Sequence, residues 1–175
     1  MIVEPREVTA LAMVREVLSD LSGERGDPLG VRPGGWTYPR LPTVHGWPLP
    51  PLGLQMNTPD LPRLYVLAAS GSQFEGAAQT FGKIAYRENF FVDIHGFAAA
   101  DESADADTWR FRLLSDVFET LHANWTLFKT APDGLDFTQR AGGVDNGELG
   151  HIAVFVLPVS VRLRPWTQTT RPPAA

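Results

Sequence analysis

Cysteine is absent from all 175 residues of the sequence. Its absence excludes a disulfide framework, thiolate metal sites and a cysteine nucleophile together. A chain without cysteine is compatible with a reducing compartment. Neither a metal nor another cofactor is predicted.

Lysine and long apolar runs are also scarce. Arginine supplies 13 of the 15 basic residues, the formal net charge is −5, and the basic residues form no block. Because nucleic-acid binding depends on a basic surface, we expect no sequence-specific nucleic-acid contact. No apolar run approaches the roughly 18 residues of a membrane span, so the sequence predicts a soluble, intracellular protein without a membrane contact.

The remaining composition is ordinary for a globular protein, with 43% hydrophobic and 20% charged residues. We expect residues 1–175 to form a single domain that buries roughly 70% of its unfolded surface. Two segments of this domain are expected to extend from its compact part: an insertion arm at 23–60 and a loose C-terminal tail at 166–175.

The arm at 23–60 holds eight prolines and seven glycines, which argues against regular helix or strand. It is nevertheless too apolar for a solvated linker, because it contains Trp36, Tyr38 and Trp47. We interpret it as an arm whose aromatic side chains anchor a contact outside the core of its own subunit. A disordered loop is the alternative.

Two amphipathic helices are predicted. The first covers residues 4–21, with Pro5 in its first turn and Ser22-Gly23 at its end. The second follows the acidic loop 100–107, where Asp105 or Asp107 can cap it. Its apolar residues recur at spacings of three and four and are expected to pack on a sheet, with a partner-binding stripe as the alternative: Phe111, Leu114, Phe118, Leu121, Trp125 and Phe128.

Alternating or continuous apolar runs predict the strands. These runs cover residues 63–69, 83–99 and 151–166, with one further short strand within 131–150. Residues 71–82 are predicted to be a turn or an irregular region. Because Pro158 lacks an amide hydrogen, we expect a bulge or a sheet edge there.

Asp93 and His95 lie two residues apart, so both side chains are expected on the same face of the strand. A hydrolytic triad would also need a nucleophile, and the sequence has no G-x-S-x-G motif. The other three histidines lack metal-binding spacing. We therefore predict a structural or partly exposed pair, and no catalytic residue, with a ligand or catalytic pair as the alternative.

The order of these segments resembles that of the tail terminator proteins of long-tailed bacteriophages and prophages. It consists of an amphipathic helix, a long insertion, a strand ending in "FFVDIHGFAA", an acidic loop, the helix "RLLSDVFETLHANW" and the strand "VFVLPVSVRL". The likeness spans about residues 4–20 and 61–165, and its most specific parts are 91–97 and 154–163. It implies an α+β fold: a mixed, mainly antiparallel β-sheet covered on one face by two helices, with the long Pro/Gly-rich arm inserted.

The resemblance implies a structural virion protein and not an enzyme. Such a protein forms a homohexameric ring on the head-proximal end of the tail tube, stops tube polymerisation and joins the tail to the head connector. Its partners would be its own copies, the tail tube protein and head-tail connector proteins. Genome DNA would pass through the ring, and assembly would occur in the host cytoplasm.

On this basis, the residues expected at contacts are Trp36, Tyr38, Trp47, Asp93, His95, Arg162, Arg164 and Trp166. Two alternatives stay open. One is another head-tail connector or adaptor protein. The other is a small cytosolic ligand-binding or enzymatic α+β domain that uses Asp93 and His95.

Overall fold

The computed structural model describes residues 6–22, 36, 38–46, 60–69, 73–80, 83–124, 136–139, 145–149 and 152–167. Within these ranges it contains two α-helices, one short 3-10 helix and seven strands. In chain order they are α1 (Arg6–Leu18), the 3-10 helix (Ser19–Ser22), β1 (Thr43–His45), β2 (Arg63–Ala68), β3 (Gln73–Thr80), β4 (Lys83–Ala99), α2 (Ala106–Ala123), β5 (Asp136–Gln139), β6 (Asp145–Leu149) and β7 (Ile152–Thr167).

One sheet is built around the long antiparallel pair β4 and β7, whose register runs from Ala99 opposite Ile152 to Ala85 opposite Thr167. Along its other side, β4 pairs with β2 and β3, and β7 likewise pairs with β5 and β6, all antiparallel. β1 pairs in parallel with β2. These pairings confirm the predicted mixed, mainly antiparallel sheet.

Both helices pack on the same face of this sheet, as predicted. Alternate strand residues such as Leu64, Ile94 and Leu157 belong to one buried cluster with Val14 of α1 and Leu113 of α2. We call this the helix face. The opposite face, called the helix-free face, carries a second buried cluster: Leu61, Tyr65, Phe97 and Ile152. The α+β fold class is therefore confirmed.

The buried stripe of α2 differs from the predicted one. Its fully or nearly fully buried apolar residues are Trp109, Leu113, Val117 and Leu121, whereas Phe111 is 57% exposed. Relative to the predicted arc, the buried face is rotated by about a quarter of a turn. The rotation brings Asp116 into the core, where the Trp36 indole N–H and the Tyr38 hydroxyl donate to its Oδ2. A prediction based only on apolar residues assumes that a carboxylate stays outside the core, so it assigned the wrong face of α2 to the core.

The start of α2 follows the prediction, because Asp105 is its N-cap. The backbone N–H of Thr108 donates to Oδ1 of Asp105 over 2.6 Å. Hydrogen bonds from Thr108 lower the pKa of Asp105, since they stabilise its charged form. The preceding loop is closed by Asp101, which accepts from the N–H groups of Ser103 and Ala104.

Three strands were not predicted: β3, one of the two strands in 131–150, and β1, which lies in the proline-rich arm where no regular strand was expected and pairs with β2. Residues 73–80, expected to be irregular, form β3 and pair with β4, with a register shift between Glu75 and Ala78 that includes Gly76. The segment 131–150 contains both β5 and β6 instead of one strand. β3 pairs with the long strand β4, and β5 and β6 pair with the long strand β7. This pairing outweighs the Gly and Asn residues, which disfavour strands.

Pro158 is accommodated without a break in β7. β6 pairs with β7 up to Val156 and β5 pairs with it from Val159, so Pro158 falls between the two paired intervals. A residue without an amide hydrogen is tolerated at such a position. On its other side Pro158 lies opposite Asp93 of β4.

Candidate interaction surface

Trp36 and Tyr38 meet α2 at a buried carboxylate. The Trp36 indole N–H donates to Oδ2 of Asp116 over 3.1 Å, and the Tyr38 hydroxyl donates to the same oxygen over 2.7 Å. Asp116 is fully buried. The Tyr38 and Trp109 rings lie 5.2 Å apart, and the Arg112 guanidinium lies 5.9 Å from the centre of the Trp36 ring. Hydrogen bonds, ring contacts and a cation-π contact therefore join this part of the arm to α2.

This placement differs from the expectation that both aromatic residues anchor a contact outside their own subunit. Tyr38 is 6% exposed and belongs to the helix-face cluster, and Trp36 packs against the same cluster. The two aromatic residues were predicted contact residues, whereas Asp116 was not among the predicted site residues. The available signal was an acidic residue at helical spacing from apolar ones, three residues after Leu113 and directly before Val117.

Asp93 and His95 lie on the helix-free face, as their spacing predicted. In the sheet register His95 lies between Tyr65 and Val156, and Asp93 lies between Leu67 and Pro158. Both side chains are partly buried. Burial lowers the pKa of His95, while the nearby Asp93 charge acts in the opposite direction. A His95 with a lowered pKa is predominantly neutral at pH 7.

A row of rings continues from this pair across the helix-free face. The His45 and Tyr65 rings lie 5.3 Å apart, and the Tyr65 and Phe97 rings meet edge to face at 5.7 Å. Within the described ranges, no three His, Cys, Asp or Glu side chains are grouped so that they could hold a metal ion. The arrangement there is aromatic packing next to two partly buried polar groups.

Replacing Asp93 or His95 by asparagine is expected to change the free energy of unfolding by no more than about 0.5 kcal/mol, because both side chains are partly exposed. Urea titration of each variant would measure this change. Binding of a metal ion or metabolite that is lost in both variants would contradict the structural role and favour a ligand site.

Arg162, Arg164 and Trp166 all lie in β7. Arg162 is exposed and stands opposite Asn89 of β4 and Asp136 of β5. Trp166 stands opposite Tyr86. The strand thus includes residues 166 and 167, which were expected to begin a loose tail. Trp47 lies outside the described residues.

An apolar flank remains on the side of α2 that was predicted to be core. It consists of Phe111, Leu114 and Phe118, and we call it the α2 flank. Leu114 and Phe118 are partly buried against the helix-face cluster. The Arg110 guanidinium lies 4.7 Å from the centre of the Phe111 ring and forms an ion pair with Asp107 at 3.1 Å. The flank therefore presents one exposed aromatic ring, with the buried Arg110 beside it.

A small cavity lies where the arm meets the sheet, between Tyr38, Leu61, Ala98 and Trp109. Its volume of about 20 Å³ has room for one or two water molecules and is too small for a metabolite. Among the described helices, none combines the length and the apolar character that a membrane span requires.

No protein-family model matches this chain, and no curated protein matches it.

Proposed function

We propose that this protein is a structural protein of the phage virion, of the tail terminator type. Six copies form a ring on the head-proximal end of the tail tube, stop its polymerisation and join it to the head connector. The partners in this proposal are further copies of the chain, the tail tube protein and head-tail connector proteins. Another head-tail connector or adaptor protein is the nearest alternative.

One observation carries the proposal: the order of elements that resembles tail terminators folds into one sheet with both helices on the same face. α1, the long insertion, β4, the acidic loop, α2 and β7 follow one another as in the resemblance. The long strands β4 and β7 lie side by side at the centre of the sheet. This likeness supports a role in assembly, but a fold does not by itself imply a function, so the proposal also depends on the surfaces of the subunit.

A closed ring requires two different, complementary surfaces on each copy, because each copy contacts its two neighbours through unlike patches. The α2 flank is suited to be one of these patches. Phe111 is 57% exposed and Leu114 and Phe118 adjoin it along the helix. Aromatic residues are enriched at protein interfaces, and the Phe111 ring is the most exposed side chain of this flank.

We expect the purified protein, when concentrated or mounted on tails, to form a closed ring of six copies. Sedimentation would measure the mass of the ring, and electron microscopy of labelled tails would give its position. A single copy at the head-proximal end, or none, would defeat the proposal. A ring located in the neck but separated from the tube end would favour the connector alternative.

A Phe111→Asp variant tests the α2 flank. Because Phe111 is mostly exposed, the melting temperature should change little, while ring formation should be lost through the charge placed in an apolar contact. Glu119→Arg is the matched control, since Glu119 is an exposed residue of the same helix outside the flank. Normal rings from Phe111→Asp would exclude the flank from the subunit contact.

A further inference from the structure

We propose that Arg15 of α1 closes the edge of β2 beyond the end of β1, so that a second copy of the chain cannot add a strand there. The arginine side chain occupies a backbone acceptor that the next residue of a paired strand would use. The proposal rests on contacts within one subunit and does not depend on the proposed function.

β1 pairs with β2 over three residues only, from Thr43 to His45. The N–H of Thr43 donates to the carbonyl of Pro62 over 3.3 Å. In a parallel pair, every second residue of a strand directs its N–H and C=O toward the same neighbour, so Leu64 and Val66 have the same orientation as Pro62. The carbonyl of Val66 is therefore the acceptor that a longer β1 would use next.

Arg15 occupies this acceptor. Its Nη2 donates to the Val66 carbonyl over 3.1 Å. Val66 is fully buried, so water cannot easily take the place of a lost donor. Arg15 directly follows Val14, which is fully buried in the helix-face cluster, and the packing of α1 on the sheet therefore holds the guanidinium at the edge of β2.

Gly46, the first residue after β1, leaves the space that this guanidinium fills. A Cβ at residue 46 would lie 2.7 Å from Cζ and from Nη2 of Arg15, and 3.0 Å from Nη1. Because the end of an arginine side chain can move, a methyl group at this position would displace the guanidinium. The contact between Arg15 and Val66 thus requires the close approach that glycine permits.

The edge of β2 continues past this contact. Ala68 is the last residue of the strand and is exposed, and its backbone groups have the same orientation as those of Val66. Among the strands that the structure describes, none pairs with this side of β2 beyond the level of His45. An open strand edge is a template for pairing with another chain, and proteins block such edges with short edge strands and charged side chains. Here β1 is the short strand and Arg15 supplies the charge.

A single engineered cysteine can report pairing at this edge, because the natural chain has none. Ala68→Cys places it at the exposed end of β2. With a short bismaleimide and a fixed protein concentration, we expect a low yield of cross-linked dimer when Arg15 is present. The yield should be severalfold higher with Arg15→Met, which keeps an apolar stem but lacks the donor. Arg40→Met is the matched control, because it changes the charge equally at a side chain that is 57% exposed, and it should leave the yield unchanged.

Gly46→Ala tests the same contact without a change of charge. It should displace the guanidinium and also raise the dimer yield, and it decides the question if circular dichroism shows that Arg15→Met is unfolded. A yield that stays at the natural level in either folded variant would overturn the proposal, as would an equal rise with Arg40→Met. A ring joined through other surfaces would contribute equally in every background, so a negative result here would leave the proposed function unaffected.

Discussion

Replacing Gly96 by alanine is expected to destabilise the folded protein by about 1–3 kcal/mol or more. Gly96 lies opposite Phe155 in the register of β4 and β7, on the helix face. A Cβ at this position would be 2.1 Å from one atom of the Phe155 ring and 2.2 Å from the next. Phe155 is fully buried, so its ring has no free space to enter. Urea unfolding of the variant would measure the loss.

A double variant can show whether the loss of stability comes from the contact between the new Cβ and the Phe155 ring. Gly96→Ala combined with Phe155→Leu should be less destabilised than the sum of the two single variants, because the smaller side chain leaves room for the new methyl group. Phe155→Leu alone should destabilise by leaving a cavity. Additive losses in the double variant would show that the contact with the ring is not the reason.

The long elements of this fold could be predicted because their apolar patterns extend over many residues. α1, β2, β4, α2 and β7 all lie where the pattern placed them, within a few residues. β3 and β6 could not be predicted in the same way. Their short sequences contain Gly and polar residues, and each forms a strand through its pairing with a long neighbour.

The buried face of α2 was mispredicted because local sequence carries too little information about it. Periodicity locates an apolar stripe but cannot reveal which polar residue has a partner elsewhere in the chain. Asp116 lies 80 residues from Trp36 and 78 from Tyr38, so no local pattern connects them. Asp93 and His95, in contrast, depend only on the alternation of one strand, and their shared face was predicted.

Replacing Asp116 by alanine is expected to destabilise the folded protein by roughly 2–4 kcal/mol. The substitution removes the oxygen that accepts from the Trp36 indole N–H and from the Tyr38 hydroxyl. Tyr38 and residue 116 are buried, so water cannot easily replace the lost acceptor. Asp116→Asn keeps an oxygen of similar position and should lose less. Urea unfolding of both variants would measure the difference.

A double-mutant cycle with Tyr38→Phe isolates the arm's contribution. If the hydroxyl contact matters, the loss from Asp116→Ala should be smaller when Tyr38 is already phenylalanine, because the donor that needs an acceptor is then absent. Leu41→Ala is a suitable control in the same arm, since Leu41 is 40% exposed and should contribute little. A loss below about 0.5 kcal/mol from Asp116→Ala would contradict the role assigned to this contact.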